Sequence, residues 1–512
     1  MRSRWVQWVS TGMAGMCFLA CSSSGDGTAP GGASGAPTST GGANTGVAGS
    51  SSAGHAGSAT AGTSNGVAGS AGSGGLGTSG AGGTAAGGTA AGGTAAGGTA
   101  AGGTAAGGAG LAGAGAGGAL GGSGGAFGGS GGSMSGGGAS GGGGGGTRAA
   151  CAAPTSYRNL FVESLGKTSA DVDAKVSAGV QQLFHGASGE NIYFELGADQ
   201  AYIEDIANND VRSEGQSYGM TIAVQMNMKP EFDKLWTYAD KCMRQSSGLF
   251  AWQMNVAACT AKSTGAAPDG EEYFAMALLL ASRRWGDAGT YNYGNEAKKV
   301  MAAMLAARPG GEFNSNPALV TFGPYQNFSD PSYVLPLFYS EWACFDTAHA
   351  DFWKQATTYG RTLFQKTTNA TTGLAPGQCN WDGTPYTASN NGHYNYDAQR
   401  VPMNIMADLN LNNADPWQAT WAKTMAAFWV KEGLASYGDT YNLDGSGKSG
   451  THGAGPTAMN AMLAFTLPAA DGKPFLQAAW DATVPTGTYR YYSGSLYLLA
   501  MLHLSGKFRL AY

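Results

Sequence analysis

At about residue 150 this chain changes from one kind of polymer to another, and no single packed fold accommodates both. The first 150 residues hold 55 of the 87 glycines but only four of the 61 charged side chains, Arg2, Arg4, Asp26 and Arg148. The remainder carries 25 Lys and Arg against 32 Asp and Glu, together with 49 of the 53 aromatic residues. A hydrophobic core is therefore expected only in the second part. Its 362 residues are enough to bury about three quarters of the extended-chain surface as one domain. A net charge of -7 there excludes a general nucleic-acid binder, whose affinity rests on clustered positive charge. The chain also has no run of about 20 apolar residues, which excludes an integral helical membrane protein.

The first residues read as an address. Arg2 and Arg4 precede an apolar stretch from Trp5 to Ala20, the charged and hydrophobic order of a secretory signal. The stretch ends Phe18-Leu19-Ala20-Cys21-Ser22, which resembles the lipobox of bacterial lipoproteins, so residues 1–21 are expected to be a lipoprotein signal. Cys21 would then carry the lipid anchor and be the sole tie to a membrane. Ser22 resembles the sorting residue for the outer membrane of the cell envelope. An ordinary signal peptide cut nearby, giving a secreted protein, is the alternative. Residues 22–153 are Gly, Ala, Ser and Thr in the main, with five tandem Thr-Ala-Ala-Gly-Gly units from Thr84 to Gly108. Such a chain buries too little apolar area to offset its ordering entropy. A disordered tether is expected, with a reach on the order of 60 Å.

Apart from Cys17 and Cys21 in the leader, cysteines fall at 151, 242, 259, 344 and 379. An odd, widely spaced set is neither a disulfide framework nor a zinc pattern. Export would allow a bridge such as Cys242 to Cys259, which spacing alone does not establish. The six histidines include no His-x-x-x-His pair, so no metal site and no cofactor is expected.

Within residues 154–512, apolar spacing of three and four residues predicts twelve helices, punctuated by Gly, Pro, Asn and Asp. They run over about 169–185, 213–228, 230–245, 270–285, 293–307, 331–344, 350–367, 396–410, 415–431, 454–466, 472–482 and 489–504. Strand-like alternation is almost absent outside pieces such as Ile192 to Glu195. Loops before the even-numbered helices are long and polar, and those helices are the more apolar all round, as in Tyr273 to Ala281. This alternation predicts an all-α (α/α)6 barrel of six inner and six outer helices, every inner helix starting at one mouth. Glu214, Asp269, Asp330, Asp397, His452 and Arg490 lie at or near those starts and would converge on one cleft. Asp330 there also reads as a plain helix cap; Glu214 does so less, because Ser213 already takes that position.

A cleft rimmed by acids and aromatics suits a neutral sugar, whose C–H faces pack on rings and whose hydroxyls need dense donors and acceptors. The segment Tyr386 to Arg400 has that mixture, although it also reads as a solvated Asn/Gly loop. At these residues the sequence resembles glycoside hydrolase family 8, inverting enzymes on an (α/α)6 barrel. The resemblance rests on Ala267-Pro268-Asp269-Gly270-Glu271-Glu272-Tyr273-Phe274-Ala275-Met276-Ala277, where Pro268 and Glu271 depart from the family's commonest form. That variant resembles the reducing-end xylose-releasing exo-oligoxylanases of the family. So do Asn208 to Gly215, Ser217-Tyr218-Gly219-Met220, Ser329-Asp330-Pro331-Ser332-Tyr333 and Arg490-Tyr491-Tyr492.

The resemblance implies Glu214 as general acid and Asp397 as general base. It implies sugar contacts for Asp269, Tyr333 and Tyr396, a role for Arg400 in orienting Asp397, and a role for His452 in closing the reducing-end side of the cleft. The loop from Asp439 to Ser449 departs from the relatives. The implied activity is release of xylose from the reducing end of xylo-oligosaccharides, by a monomer, in xylan degradation. An endo-acting xylanase or β-glucanase on the same barrel stays open, as does a non-catalytic oligosaccharide-binding lipoprotein. An inverting pair needs one protonated and one ionised carboxyl about 6.5–9.5 Å apart. Apolar neighbours are therefore expected around Glu214 and hydrogen-bond donors near Asp397.

Overall fold

The computed structural model describes residues 151–306, 310–412 and 415–512; the expectations for the leader and for most of the tether lie outside the described residues. Its α-helices are α1 (Leu160–Leu165), α2 (Ser169–His185), α3 (Ser213–Gln225), α4 (Lys229–Tyr238), α5 (Pro268–Trp285), α6 (Tyr293–Met304), α7 (Pro336–Phe345), α8 (Ala350–Thr367), α9 (Val401–Asn412), α10 (Pro416–Glu432), α11 (Ala454–Ala461), α12 (Ala469–Asp481) and α13 (Arg490–Leu504). The odd-numbered helices from α3 to α13 form the inner ring, and the even-numbered ones pack outside them, giving an (α/α)6 barrel.

Sequence dictates the two kinds of helix. In outer α8 the buried residues are Trp353, Ala356, Thr357, Gly360, Leu363, Phe364 and Thr367, one stripe at helical spacing. In inner α5 every residue from Pro268 to Ala281 is buried, because α3, α6 and α7 cover it on different sides. Pro268 starts α5 with its ring at a position whose N–H needs no helical partner, and Gly286 ends it at φ 76. Tyr273 of α5 meets Phe338 of α7 edge to face at 5.0 Å, and Arg283 donates to Glu341 at 2.8 Å.

The end of the barrel away from the inner-helix starts is closed by the C-terminal tail. Gln225, the last residue of α3, donates to the Arg509 carbonyl at 3.0 Å and accepts from the Arg509 N–H at 2.9 Å. Arg283 donates to the Leu510 carbonyl at 2.7 Å. One mouth therefore remains for chemistry.

Three expectations are corrected. Strand content is not negligible: β1 (Tyr193–Leu196), β2 (Gln200–Asp205), β3 (Asp210–Arg212), β4 (Gln253–Asn255) and β5 (Ala261–Ser263) form an antiparallel sheet in that order, and β6 (Phe313–Ser315) pairs with β7 (Ala318–Val320). Most of these strands are three residues long, too short for alternation to register. Arg212, bonded to Asp210 at 3.0 Å and Asp205 at 3.3 Å, ties β2 to β3 with charge instead. The predicted helix over 331–344 is interrupted: Pro331–Tyr333 is a 3-10 turn, and α7 starts afresh at Pro336, because a proline inside a helix removes a donor and clashes with the preceding turn. The cysteines do pair, as Cys242–Cys259 and Cys151–Cys344, leaving Cys379 free and buried. Cys151, on the tether side of the expected boundary, is thus bonded to the end of α7.

Candidate active site

Glu214 is the second residue of α3, and its backbone is fixed before its side chain is considered. Strand β3 runs straight into α3, and the Ser213 N–H donates to the Trp252 carbonyl at 3.0 Å. The buried Gln216 side chain accepts from Ile203 N at 3.0 Å and donates to the carbonyls of Ala201 at 3.0 Å and Leu235 at 2.8 Å. Asp269 holds the equivalent second position of α5. The two helix starts approach closely because Gly270 has no side chain: a Cβ there would lie 2.4 Å from Ser213 Oγ. Both acids sit in the first turn, where helix N-termini favour negative charge.

The opposite wall begins at the 3-10 turn Asp397–Arg400, which leads directly into α9. Arg400 reaches across the mouth. Its Nη1 donates to Asp269 Oδ2 at 2.7 Å, Tyr218 OH at 2.9 Å and Glu214 Oε2 at 3.1 Å. Nη2 donates to Ser332 Oγ at 2.8 Å and Asp397 Oδ1 at 3.1 Å. One planar guanidinium thus bridges the carboxyls from the starts of α3, α5 and α9, a task suited to its rigid fork of donors. Tyr333 lies beneath, with Arg400 Cζ 5.3 Å from its ring centroid. Tyr333 is itself the end of an aromatic ladder through Phe322 at 5.8 Å, Phe328 at 5.4 Å and Tyr386 at 3.9 Å.

Burial sorts the three acids. Side-chain exposure is 5% for Asp269, 15% for Glu214 and 25% for Asp397, against 2% for Arg400. Desolvation pushes the Glu214 carboxyl up to about 7, against the attraction of Arg400 and with the repulsion of Asp269 added. Burial likewise raises Asp269, and Arg400 opposes it. Glu214 and Asp397 therefore face each other across one cation, the first poised to hold a proton near neutrality and the second the more open to water. A cavity on the Glu214 side is lined by Glu214, Asp269, Arg212, Trp252 and Tyr333.

The structure brings together Glu214, Asp269, Asp397, Arg400 and Tyr333. Tyr396 stands beside the group, its carbonyl accepting from Tyr492 OH at 2.9 Å. His452 lies at the start of α11, bonded to Tyr437 and Thr457 rather than to the Arg400 cluster. Two expectations need correction: Arg490 turns to the carbonyls of Asn191 at 2.7 Å and Gly487 at 2.6 Å, and the partners of Glu214 are polar rather than apolar. Asp330 caps Ser332 N at 2.7 Å and is fully buried. Sequence reasoning gave no role to Tyr218, Ser332 or Tyr491, although all three lie in the motifs that carried the resemblance; Tyr491 OH donates to Glu214 Oε1 at 2.8 Å.

Comparison with known proteins points the same way. The family model for Glycosyl hydrolases family 8 matches residues 201–506. The chain is 37% identical over 369 residues to the reducing-end xylose-releasing exo-oligoxylanase Rex8A of Paenibacillus barcinonensis, covering 69% of this chain and 96% of that protein. It is 39% identical over 373 residues to the reducing end xylose-releasing exo-oligoxylanase of Halalkalibacterium halodurans, covering 69% of this chain and 94% of that protein. The solved structure of Rex8A complexed with xylose superposes with a TM-score of 0.67 at 36% identity, covering 70% of this chain and 98% of that one.

Proposed function

Because the chain belongs to glycoside hydrolase family 8, we propose that it hydrolyses xylo-oligosaccharides with inversion, releasing xylose from the reducing end. Glu214 is the general acid: its proton goes to the glycosidic oxygen as the bond from that oxygen to the anomeric carbon breaks. Asp397 is the general base, taking a proton from the water that attacks the same carbon from the opposite face. Products are a shortened oligosaccharide with an α-configured new reducing end and free xylose. Asp269 and Tyr333 contact the sugar ring, and Arg400 orients Asp397 by its bond to Oδ1.

The observation that carries the reading is the pair of unlike carboxyls bridged by Arg400. Glu214, raised to about 7, keeps a proton at the pH where an acid catalyst must have one, and the more exposed Asp397 has access to water. Separate walls supply them, as an inverting mechanism requires. The reading of exo-action rests on the two exo-oligoxylanase relatives named above and on His452 beside the mouth.

Glu214→Gln and Asp397→Asn should each lower kcat by roughly 1,000-fold or more while leaving oligosaccharide binding near wild type, since general acid and base work each contribute about 100- to 10,000-fold. Retention of most of the rate by Asp397→Asn would remove the base assignment. Xylohexaose labelled at its reducing end should yield labelled xylose first, and NMR of the new end should show the α-anomer. Early xylobiose and xylotriose would instead mean endo-action, and inertness toward every xylan fragment would turn the search to glucans.

A further inference from the structure

The Glu214 carboxyl is touched by a residue from the last helix of the chain. We propose that Tyr491 is a positioning residue that sets the acidity and orientation of Glu214, and that Gly215 exists to admit it. The inference rests on the reading of Glu214 as the general acid.

Glu214 is gripped at both oxygens: Oε2 by Arg400 at 3.1 Å and Oε1 by Tyr491 OH at 2.8 Å. Each oxygen keeps one lone-pair direction free, so the carboxyl can carry its proton and still be held. The two grips differ in kind. Arg400 is shared with Asp269 and Asp397 and therefore reports on the whole mouth, whereas the hydroxyl of Tyr491 has no other hydrogen-bond acceptor among the described residues. Tyr491 is 3% exposed. Burial, with the neighbouring Glu214 carboxyl added, holds its phenol well above its ordinary range, so it acts as a donor throughout the working pH.

The close approach is built into the backbone. A Cβ on Gly215 would lie 2.3 Å from Tyr491 Cε2, 2.6 Å from its hydroxyl oxygen and 2.8 Å from Cζ, inside any real contact distance. The residue directly after the acid thus leaves the space that the phenol of α13 fills. Tyr491 joins the first and last inner helices of the barrel at the reacting carboxyl itself.

A donor to Oε1 stabilises the carboxylate over the acid. It therefore eases the loss of the proton at the transition state and lowers the group's affinity for protons. The other groups facing Glu214 are Arg400, Asp269 and Arg212, with the phenols of Tyr218, Tyr273 and Tyr492; none of them bonds Oε1.

The test is the pH profile of Tyr491→Phe on xylotriose, beside Gly215→Ala, Glu214→Gln and wild type. Loss of the donor raises the Glu214 affinity for protons, so the alkaline limb of kcat/KM should move up by about one pH unit, the size of one hydrogen bond to a carboxylate. The plateau kcat should fall about 10-fold, because a weaker acid protonates the leaving oxygen less readily. On 2,4-dinitrophenyl β-xylobioside, whose leaving group needs no proton, kcat should change less than threefold. Gly215→Ala should shift the limb in the same direction by displacing the ring, and serves if one variant folds poorly. A residue that merely packs would lower kcat on both substrates and leave the limb in place, and that result overturns the inference while the acid assignment stands. Turnover by Glu214→Gln would remove the acid assignment, and this inference with it.

Discussion

Glu214 and Asp397 reach the same guanidinium from walls of different construction. The Glu214 wall is a helix start fed by strand β3, seated in a five-stranded sheet and locked by the buried side chain of Gln216. The Cys242–Cys259 bridge joins the chain after α4 to the turn between β4 and β5. The Asp397 wall is a 3-10 turn at the end of a long segment from residue 368 to 396, and beside it runs the segment from 433 to 453. Isolated bridges hold these segments, Ser329 to Cys379 and Tyr394 to Tyr441 among them. Beneath them lies a cluster of Tyr394, Trp429, Tyr437 and Tyr441, with Trp429 and Tyr437 centred 4.6 Å apart. One wall is held by a ladder and the other by aromatic packing and short turns. The first leaves little freedom to vary at the acid. The second allows loop changes that reshape the cleft without moving Asp397.

Among changes that leave both carboxyls in place, the largest effect should come from breaking the link between the walls. Arg400→Lys keeps a charge but cannot bond five acceptors from one plane, so kcat should fall roughly 100-fold or more. Arg400→Ala leaves buried carboxyls without their cation and should destabilise the domain by about 3–5 kcal/mol, measured by urea unfolding. A lysine variant with near wild-type kcat would mean that the walls work independently.

A second difference lies in where protons are stored. Behind Asp269, the fully buried Glu271, Glu272 and Glu312 form no ion pair among the described residues. Burial pushes Glu271 up to about 8 and raises Glu272 and Glu312 well above their ordinary 4.5. On the other wall burial lifts Asp439 only to about 6. A group that binds its proton more tightly when folded supports stability fully below its unfolded pKa, and that support is lost as pH rises through the folded one. Glu312→Gln, which mimics the neutral form, should therefore gain stability over wild type as pH rises from about 5 toward 8, by up to about 1.4 kcal/mol per pH unit. Asp439→Asn should gain nothing further above about pH 6. Urea unfolding across pH 5 to about 8.5 compares the two; parallel curves for Glu312→Gln and wild type would show that Glu312 holds no proton.

The outer helices were legible because their buried residues recur at one helical spacing, the inner ones because they are apolar nearly all round, and the acids because each stands at a helix start behind a polar loop. The five-stranded sheet was not legible: Asp210, Arg212, Gln253 and Asn255 are polar strand residues held by ion pairs and by pairing with distant segments. Nor was the link from Cys151 to Cys344, which depends on folding across 193 residues. The sharing of Arg400 among three carboxyls escaped for a related reason. Sequence placed Arg400 three residues after Asp397, but its reach to Glu214 and Asp269 follows from ring closure. Tyr491 stood in a recognised motif without a role, because only the gap left by Gly215 shows what it touches.

The smallest effect on chemistry, and the most specific, should come from His452 on the loop wall. Its ring stands edge-on to Tyr437 with centroids 4.4 Å apart. Nδ1 lies 3.3 Å from the Tyr437 carbonyl and Nε2 3.1 Å from Thr457 Oγ1. Burial holds the imidazole below its ordinary range, so it is neutral near pH 7, and donation to the carbonyl puts its hydrogen on Nδ1. With both nitrogens engaged by protein, the ring is an exposed but fixed piece of wall, better suited to barring the cleft than to grasping a hydroxyl. Removing it should disturb the fold little, because the Thr457 hydroxyl hydrogen can turn from Nε2 to the Gly453 carbonyl, 2.7 Å from Oγ1. His452→Ala should therefore lose no more than about 1.5 kcal/mol of stability. On end-labelled xylohexaose the first cuts should move inward by one or two sugars, while kcat on xylotriose falls less than about 10-fold. A product pattern identical to wild type would show that another element of the loop wall, between Asp439 and Ser449, closes the cleft.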